Sequence, residues 1–286
     1  MSNVKISLEN VTYIYGKGTP FEIKALDAVN LDIHEGTITG IIGHTGSGKS
    51  TMVQLFNGLT KPMEGRILLD GQDIWEKPKE IGKIRFRVGL VMQYPEYQLF
   101  EETVEADIAY GPKNMGLDEA EIQRRVANAA RFVGLEPEML QKSPFDLSGG
   151  QKRRAALAGI IAMRPEVLVL DEPAAGLDPR GRDAILNGIC NYQKESGATI
   201  IIVSHSMEDM ARYCDEIIVM DHAKVRMSGP RDEIFARSDE LIDAGLDIPE
   251  ITKLIWLLRA RGVAVDSSIY TVDRAEQELL RLFGQS

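Results

Sequence analysis

Apolar and polar positions alternate along residues 4–15, with Val4, Ile6 and Leu8 followed by Val11, Tyr13 and Tyr15. That is the pattern of a half-buried strand. Gly16-Lys17-Gly18-Thr19-Pro20 interrupts it as a turn. Residues 25–33 predict a second strand, closed by His34-Glu35-Gly36, and with residues 64–70 the two read as an antiparallel layer. Residues 38–42 form another apolar strand, leading through a glycine-rich loop into a helix over 52–56. Residues 167–170 are continuously aliphatic, as expected of a strand buried on both faces of a parallel sheet, and 199–203 repeat the pattern. Residues 86–92 and 217–220 predict two more strands.

A period of 3.6 replaces the period of two over residues 118–133, where Ile122, Val126, Ala129, Ala130 and Val133 share one helical face. Residues 94–117 contain Pro95, Gly111, Pro112 and Gly116, which predict a short, interrupted helix. Further helices are expected up to Met163 and over 180–195, so that 94–163 reads as a helical insertion. Strands alternating with helices specify an α/β domain over residues 1–230. Residues 231–286 form a C-terminal extension. There Asp247-Ile248-Pro249-Glu250 opens a helix, Ile251, Leu254, Ile255 and Leu258 form a stripe, and Ala275, Leu279 and Phe283 form another. Either stripe suits packing on its own domain or on a partner, and dimerisation is one role for the extension.

Composition narrows the classes. The 286 residues are 44% hydrophobic and 27% charged, enough for one large core with an appendage. No apolar run approaches the ~20 residues of a membrane helix, and the start, Met-Ser-Asn-Val-Lys, lacks the apolar core of a signal peptide. Membrane association is therefore expected through a partner. The net charge of −10 argues against a nucleic-acid partner. Lys77, Lys79, Lys83, Arg85 and Arg87 make a local basic run, read as a solvated loop and strand edge. Cys190 and Cys214 are isolated, which suits a reducing cytoplasm. The four histidines are scattered, and no metal cluster is expected from them.

The chemistry begins in Gly43-His44-Thr45-Gly46-Ser47-Gly48-Lys49-Ser50-Thr51, a G-x-x-x-x-G-K-[ST] phosphate loop between strand and helix. Its glycines let backbone N–H groups turn toward phosphate oxygens, and the following helix start adds its amides and dipole. Lys49 reaches the β- and γ-phosphates, and the Ser50 hydroxyl holds Mg²⁺. A glycine turn beside a solvated lysine is the plainer alternative; the strand, the helix and the motifs downstream weigh against it. Ser148 and Gln151, three apart, fit a capping box that opens a helix. Gly149 and Gly150 at that helix mouth each cost about 1 kcal/mol of helix propensity, and so serve close backbone approach; taken locally, they also fit a glycine-tolerant loop. Asp171 and Glu172 follow four buried aliphatics and reach the carboxyl end of a strand, where ligands of open α/β sheets bind. They suit Mg²⁺ and an attacking water better than a solvated loop. His205 ends the next strand at the same cleft. Tyr13 and Tyr15 suit adenine stacking or core packing equally.

Together, and in order, these motifs resemble the ATPase subunits of ATP-binding-cassette (ABC) transporters over residues 4 to about 230. The resemblance implies a P-loop NTPase fold with a RecA-like core, an antiparallel β layer and a helical signature subdomain, binding ATP and Mg²⁺. It makes Tyr15 the adenine-stacking aromatic, residues 43–51 the Walker A motif and Gln93 the Q-loop glutamine that senses Mg²⁺ and water. Ser148, Gly149, Gly150 and Gln151 become the signature, which meets ATP on a partner subunit. Asp171 becomes the Walker B aspartate, holding Mg²⁺ through water, Glu172 the general base, Asp178 part of the D-loop and His205 the switch histidine. Residues 93–104, Gln-Tyr-Pro-Glu-Tyr-Gln-Leu-Phe-Glu-Glu-Thr-Val, and Ala174-Ala175 resemble more narrowly the second of the paired ATPases of energy-coupling factor transporters, which import vitamins and transition-metal ions. That likeness implies a second ABC ATPase, a transmembrane scaffold (T) subunit docking beside the Q-loop, a substrate-binding membrane (S) subunit, and a peripheral place on the cytoplasmic face of the membrane. Ala174 departs from the more usual Thr or Ser there.

Other expectations are weaker. A conventional importer or exporter ATPase shares all the chemistry. A soluble cassette protein acting on ribosomes or DNA would carry two tandem cassettes or a long coiled coil after Gln93, and this chain has neither. A nucleotide kinase would lack residues 147–151 and the Asp171-Glu172 pair.

Overall fold

The computed structural model describes residues 3–266 and 268–284. The chain opens with two long strands, β1 (Val4–Tyr15) and β2 (Ile23–His34), paired antiparallel. Strand β3 (Ile38–Gly43) then runs through the phosphate loop into helix α1 (Lys49–Phe56). Strand β4 (Glu64–Leu69) returns to β1, and β5 (Gln72–Asp73) completes a four-stranded sheet in the order β2-β1-β4-β5. Helix α2 (Ile81–Arg87) leads into β6 (Val88–Val91). A helical stretch follows: α3 (Val104–Asn114), α4 (Glu119–Val133), α5 (Pro137–Leu140) and α6 (Gly149–Ile161). The chain then alternates β7 (Val167–Asp171), α7 (Pro179–Ser196), β8 (Thr199–Val203), α8 (Met207–Tyr213), β9 (Glu216–Asp221) and β10 (Lys224–Pro230). Helices α9 (Arg231–Ala236), α10 (Ser238–Asp243), α11 (Glu250–Ala260) and α12 (Val272–Phe283) finish it.

The second sheet has six strands in the order β10-β9-β3-β8-β7-β6, parallel except for β10. Its inner strands β3, β7, β8 and β9 are buried on both faces, and successive residues feed two cores. Leu168, Leu170, Ile200 and Ile202 point into the core shared with α3, α4, α6 and α7. Val167, Val169, Ile201 and Val203 point into the core shared with α1 and the antiparallel sheet. This is why those runs are aliphatic at every position. A salt-linked cluster ties the two sheets at one edge: Lys5 of β1 pairs with Glu166 at 2.7 Å, and Arg87 with Glu166 at 2.6 Å and with Asp70.

Most predicted elements are present, and three expectations are corrected. The strand predicted over 86–92 begins only at Val88, because Phe86 and Arg87 end α2. Lys79, Lys83, Arg85 and Arg87 of the basic run are accordingly helical, and Arg87 is an ion-pair member rather than a solvated edge residue. The helix expected to be interrupted before Asp118 is continuous over 11 residues, with Pro112 inside it. Burial of Val104, Ile108, Ala109 and Pro112 outweighs the proline's propensity cost. Gly111 is no breaker there: a Cβ would lie 2.6 Å from Met163 Cγ, so glycine allows α3 to pack close to the chain beyond α6.

Of the two C-terminal stripes, Ile255 and Ala275 are buried with Val265 and Ile269 in a small core of their own, against which Ile251 and Leu258 pack. Leu254 and Phe283 are exposed. Ile251, Leu254, Leu258, Ala275, Leu280 and Phe283 are among the residues lining an apolar groove of about 730 Å³.

Candidate active site

Parallel register gathers the candidate residues at one end of the six-stranded sheet. Gly43 ends β3, Val203 of β8 stands opposite Asp171 of β7, and Leu170 opposite Val91 of β6. Chain continuing past these pairs delivers the phosphate loop, Asp171 and Glu172, Ser204 and His205, and Gln93 to the carboxyl edge, where an open α/β sheet binds its ligand.

The loop's glycines are demanded by its shape. A Cβ on Gly43 would lie 2.5 Å from the Met220 carbonyl oxygen. Gly48 has φ 106°, and a Cβ there would lie 2.3 Å from the Ala25 carbonyl oxygen. Lys49 is buried, and its Nζ donates to the carbonyls of Gly43 at 2.6 Å and His44 at 3.0 Å. Burial pushes its ammonium below the usual lysine range, against the pull of Glu172 and Asp171. Ser47 Oγ is buried without a hydrogen-bond partner. The Tyr15 hydroxyl bonds Thr51 Oγ1 at 3.1 Å, and its ring stands edge-on to Tyr13, 4.9 Å between centroids. Tyr13 packs on the core, while Tyr15 is 42% exposed.

Across the loop, Asp171 accepts a hydrogen bond from Ser50. Its carboxyl is raised by burial, which outweighs that bond and the nearby Lys49 and His205 charges. Glu172 sits in the left-handed region at φ 52°, with its N–H bound to the Val203 carbonyl at 2.9 Å. Its carboxyl is raised by burial and then by Asp171, despite hydrogen bonds from the His205 backbone and Ser204. Glu172 Oε1 has no hydrogen-bond partner, and His205 Nε2 stands 3.5 Å away. The His205 imidazole is itself lowered by burial and by Lys49. Gln93 is exposed beyond the end of β6.

The signature residues lie elsewhere. Ser148 caps α6 as the pattern predicts: its N–H donates to Gln151 Oε1 at 2.8 Å, and its Oγ accepts from the Gln151 N–H. A Cβ on Gly149 would meet nothing within 4 Å, and one on Gly150 only Leu177 Cδ2 at 3.6 Å. Ser148 and Gly150 share a groove of about 900 Å³ with Leu177, Asp178 and Arg180. Asp178 also caps α7, accepting from the Gly181 N–H at 2.8 Å.

Two arginines escaped the sequence reading. Arg153 of α6 is buried, grips Glu96 through Nη2 and Nε at 2.9 and 3.1 Å, and donates to the Ala175 carbonyl. It joins the chain after Gln93, the signature helix and the chain after Glu172. Arg182 of α7 joins Asp209 and Ser206, just beyond His205. Both sit in charged stretches whose partners are distant in sequence, and no local pattern signals the pairing.

The fold also brings together histidines that are far apart in the sequence. His44, Asp221 and His222 bring potential ligand atoms within 4.8 Å of one another. Scattered in sequence, two of the four histidines meet because β3 and β9 are neighbours.

Comparison with known proteins agrees with this geometry. Residues 26–175 match the family described as ABC transporter. The chain is 54% identical over 278 residues to the energy-coupling factor transporter ATP-binding protein EcfA2 of Clostridium acetobutylicum, covering 97% of each. Among solved structures it is similar to cbiO1 of Clostridium perfringens, part of the ABC transporter complex cbiONQ, with TM-score 0.76, 41% identity, and coverage of 88% of this chain and 99% of that one. It is also similar to the dimeric post-hydrolysis cassette MJ0796 bound to ADP and Pi, with TM-score 0.71, 29% identity, and coverage of 79% and 98%. The phosphate loop, the paired acids and the capped signature helix thus have a common explanation: the chain belongs to the ABC transporter family and, within it, to the ATP-binding proteins of energy-coupling factor transporters.

Proposed function

We propose that the chain is the ATP-hydrolysing subunit of an energy-coupling factor importer, powering uptake of a vitamin or transition-metal ion through a transmembrane scaffold subunit. The observation that carries this reading is the convergence of Lys49, Ser50, Asp171, Glu172 and His205 at one sheet edge. ATP phosphates would take the loop amides and the Lys49 ammonium, which now rests on loop carbonyls. The orphaned Ser47 Oγ and Glu172 Oε1 are polar atoms of the kind a bound ligand or water satisfies.

Mg²⁺ fits the same edge, since Ser50, Asp171 and Gln93 form an all-oxygen donor set. When bound, it neutralises charge on the β- and γ-phosphate oxygens. Ser50 and Asp171 would hold it, while Glu172 would orient a water and take its proton. His205, beside Glu172, donates toward the γ-phosphate.

Each chain supplies half of two sites on this reading. The exposed Gly149 has open space in front of it, and Gly150 is half-buried beside it, which would admit the nucleotide of a second ABC ATPase. The apolar groove of α11 and α12 would add to that pairing. Beyond Gln93, the exposed rings of Tyr94, Tyr97 and Phe100 offer a surface for the scaffold subunit. No helix among the described residues is long and apolar enough to cross a membrane. A peripheral position on the cytoplasmic face, held by scaffold and substrate-binding subunits, fits that fact.

Affinity purification of the tagged chain from native membranes, followed by mass spectrometry, tests the assignment. Recovery of a scaffold subunit, a different ATPase and a small substrate-binding membrane protein is expected. A conventional permease alone would overturn the subtype, and ribosomes or DNA the transport role.

A further inference from the structure

Strands β3 and β9 run parallel with Ile42 opposite Val219 and Gly43 opposite Met220. The next residue on each strand therefore comes side by side, and His44 Nε2 lies 3.2 Å from Asp221 Oδ1. Asp221 then pairs with Lys224, so the hairpin to β10 turns through His222 and Ala223. Both turn residues have positive φ, 45° and 66°, in a loop type that favours Asn-Gly. This turn carries His222 back onto the same carboxylate, with Nδ1 2.6 Å from Oδ1 and the two imidazole rings 5.2 Å apart.

The hydrogen bonds around the cluster orient its lone pairs. His44 Nδ1 lies 2.9 Å from the Thr45 carbonyl oxygen, which places the proton on Nδ1. Nε2 then faces a carboxylate oxygen at 3.2 Å, a spacing that either a proton or a metal ion bridges. A ring nitrogen donating to a backbone carbonyl while the other faces outward is how ligating histidines are commonly oriented. Arg226 Nη1 holds Asp221 Oδ2 at 3.1 Å and leaves Oδ1 to the histidines. Ligand atoms on a tetrahedral zinc-class ion with bonds of about 2.0–2.1 Å stand about 3.3 Å apart. The His44–Asp221 spacing of 3.2 Å already matches. The His222 side chain, 86% exposed, has room to open from its hydrogen bond to that spacing.

We propose that His44, Asp221 and His222 form a binding site for a divalent transition-metal ion of the zinc, cobalt or nickel class, with water completing the coordination. Two imidazoles and one carboxylate select such ions over magnesium. The ion ties the first residue after Gly43 to the β9–β10 hairpin. Because the His44 carbonyl also receives the Lys49 ammonium at 3.0 Å, occupancy fixes the backbone on which the phosphate-binding lysine rests.

Cobalt is the probe. The full-length, nucleotide-free chain is titrated with Co²⁺ in excess Mg²⁺, and visible d–d absorption is followed. The expected result is one saturable equivalent, displaced by Zn²⁺. His222→Asn should weaken it at least about tenfold, by loss of one ligand. Asparagine suits the left-handed turn, so the variant folds, and its ATP turnover with Mg²⁺ alone should equal that of the unaltered chain. Absence of a saturable band, or equal affinity in His222→Asn, would show that the cluster is held by protons alone and overturn the proposal.

Discussion

His205 Nε2 stands 3.5 Å from Glu172 Oε1, one residue at the end of β8 and the other at the end of β7. Glu172 reaches the pair from a left-handed backbone conformation. Such a conformation costs an L-residue on the order of 1–2 kcal/mol and is found where the site requires it. Glu172→Gln preserves shape while removing the base. Turnover should fall about 10²- to 10⁴-fold, with ATP affinity nearly unchanged and the ATP-bound dimer trapped. Phosphate release, calorimetry and light scattering measure the three. Robust hydrolysis by this variant would refute the assigned base.

The environment of the same carboxylates sets a pH dependence. Burial raises both Asp171 and Glu172 above their ordinary values of 3.8 and 4.5, and the Asp171 charge adds to the rise of Glu172. The base form of Glu172 is therefore lost at a higher pH than an ordinary glutamate would show, and kcat should fall as pH drops through that raised value. Stability has the opposite sign here. Between 4.5 and the raised value the folded state binds more protons than the unfolded state, so this group's contribution improves as pH falls. In nucleotide-free protein, Tm relative to Glu172→Gln should rise on going from neutral to mildly acidic pH. A constant difference would count against the raised carboxyl. Below about 4.5 the cluster around Glu166 works the other way: hydrogen bonds from Arg87 hold Glu166 at about 2, and that stabilisation is lost as acid protonates it.

The carboxyl-edge site was legible because each of its parts has a local signature. A phosphate loop needs its glycines in a fixed spacing, a doubly buried strand is aliphatic throughout, and Ser148 with Gln151 announces a cap. Features made by pairing across the fold were not legible. Arg153 lies in a run of basic residues and Glu96 in a tyrosine-rich loop, and nothing local ties them. His44 and Asp221 meet only through the β3–β9 register. Phe86 and Arg87 look like strand but continue α2, and Arg87 takes partners from Asp70 and Glu166. Pro112 and Gly111 carry breaker propensity that tertiary packing overrides.

Arg153 offers a test of one such long-range link. Its side chain is 5% exposed and that of Glu96 16%, so removal of the guanidinium leaves a carboxylate nearly buried and unpaired. Arg153→Ala should destabilise by about 3–5 kcal/mol, read by denaturant unfolding. The double variant with Glu96→Ala should recover part of that loss, whereas additive losses would mean that the two residues act separately.

The C-terminal helices bear on pairing. Their small core is separate from the main ones, while Leu254, Leu257 and Leu280 remain exposed. Deleting residues 247–286 should weaken association between ATPase subunits while ATP binding at the phosphate loop persists. Light scattering reads the mass; an unchanged dimer would sink the dimerisation role.

Two glycines give the sharpest separation between what a chain needs for itself and what it needs for a partner. Gly48→Ala would place a Cβ 2.3 Å from the Ala25 carbonyl oxygen at a φ of 106°, so nucleotide binding should be lost in the isolated chain. Gly149 is the first residue of α6, and a Cβ there meets nothing within 4 Å. Alanine improves helix propensity by up to about 1 kcal/mol, so Gly149→Ala should be at least as stable as the unaltered chain and bind ATP normally. If the signature amides receive the nucleotide of a second subunit, the added methyl obstructs that approach, and turnover should drop at least about tenfold, or about 1.4 kcal/mol in the barrier. Thermal unfolding, ATP affinity and turnover measured on the same preparation separate the cases. Full turnover by Gly149→Ala would mean that no nucleotide approaches this helix start, and the shared-site arrangement would fall with it.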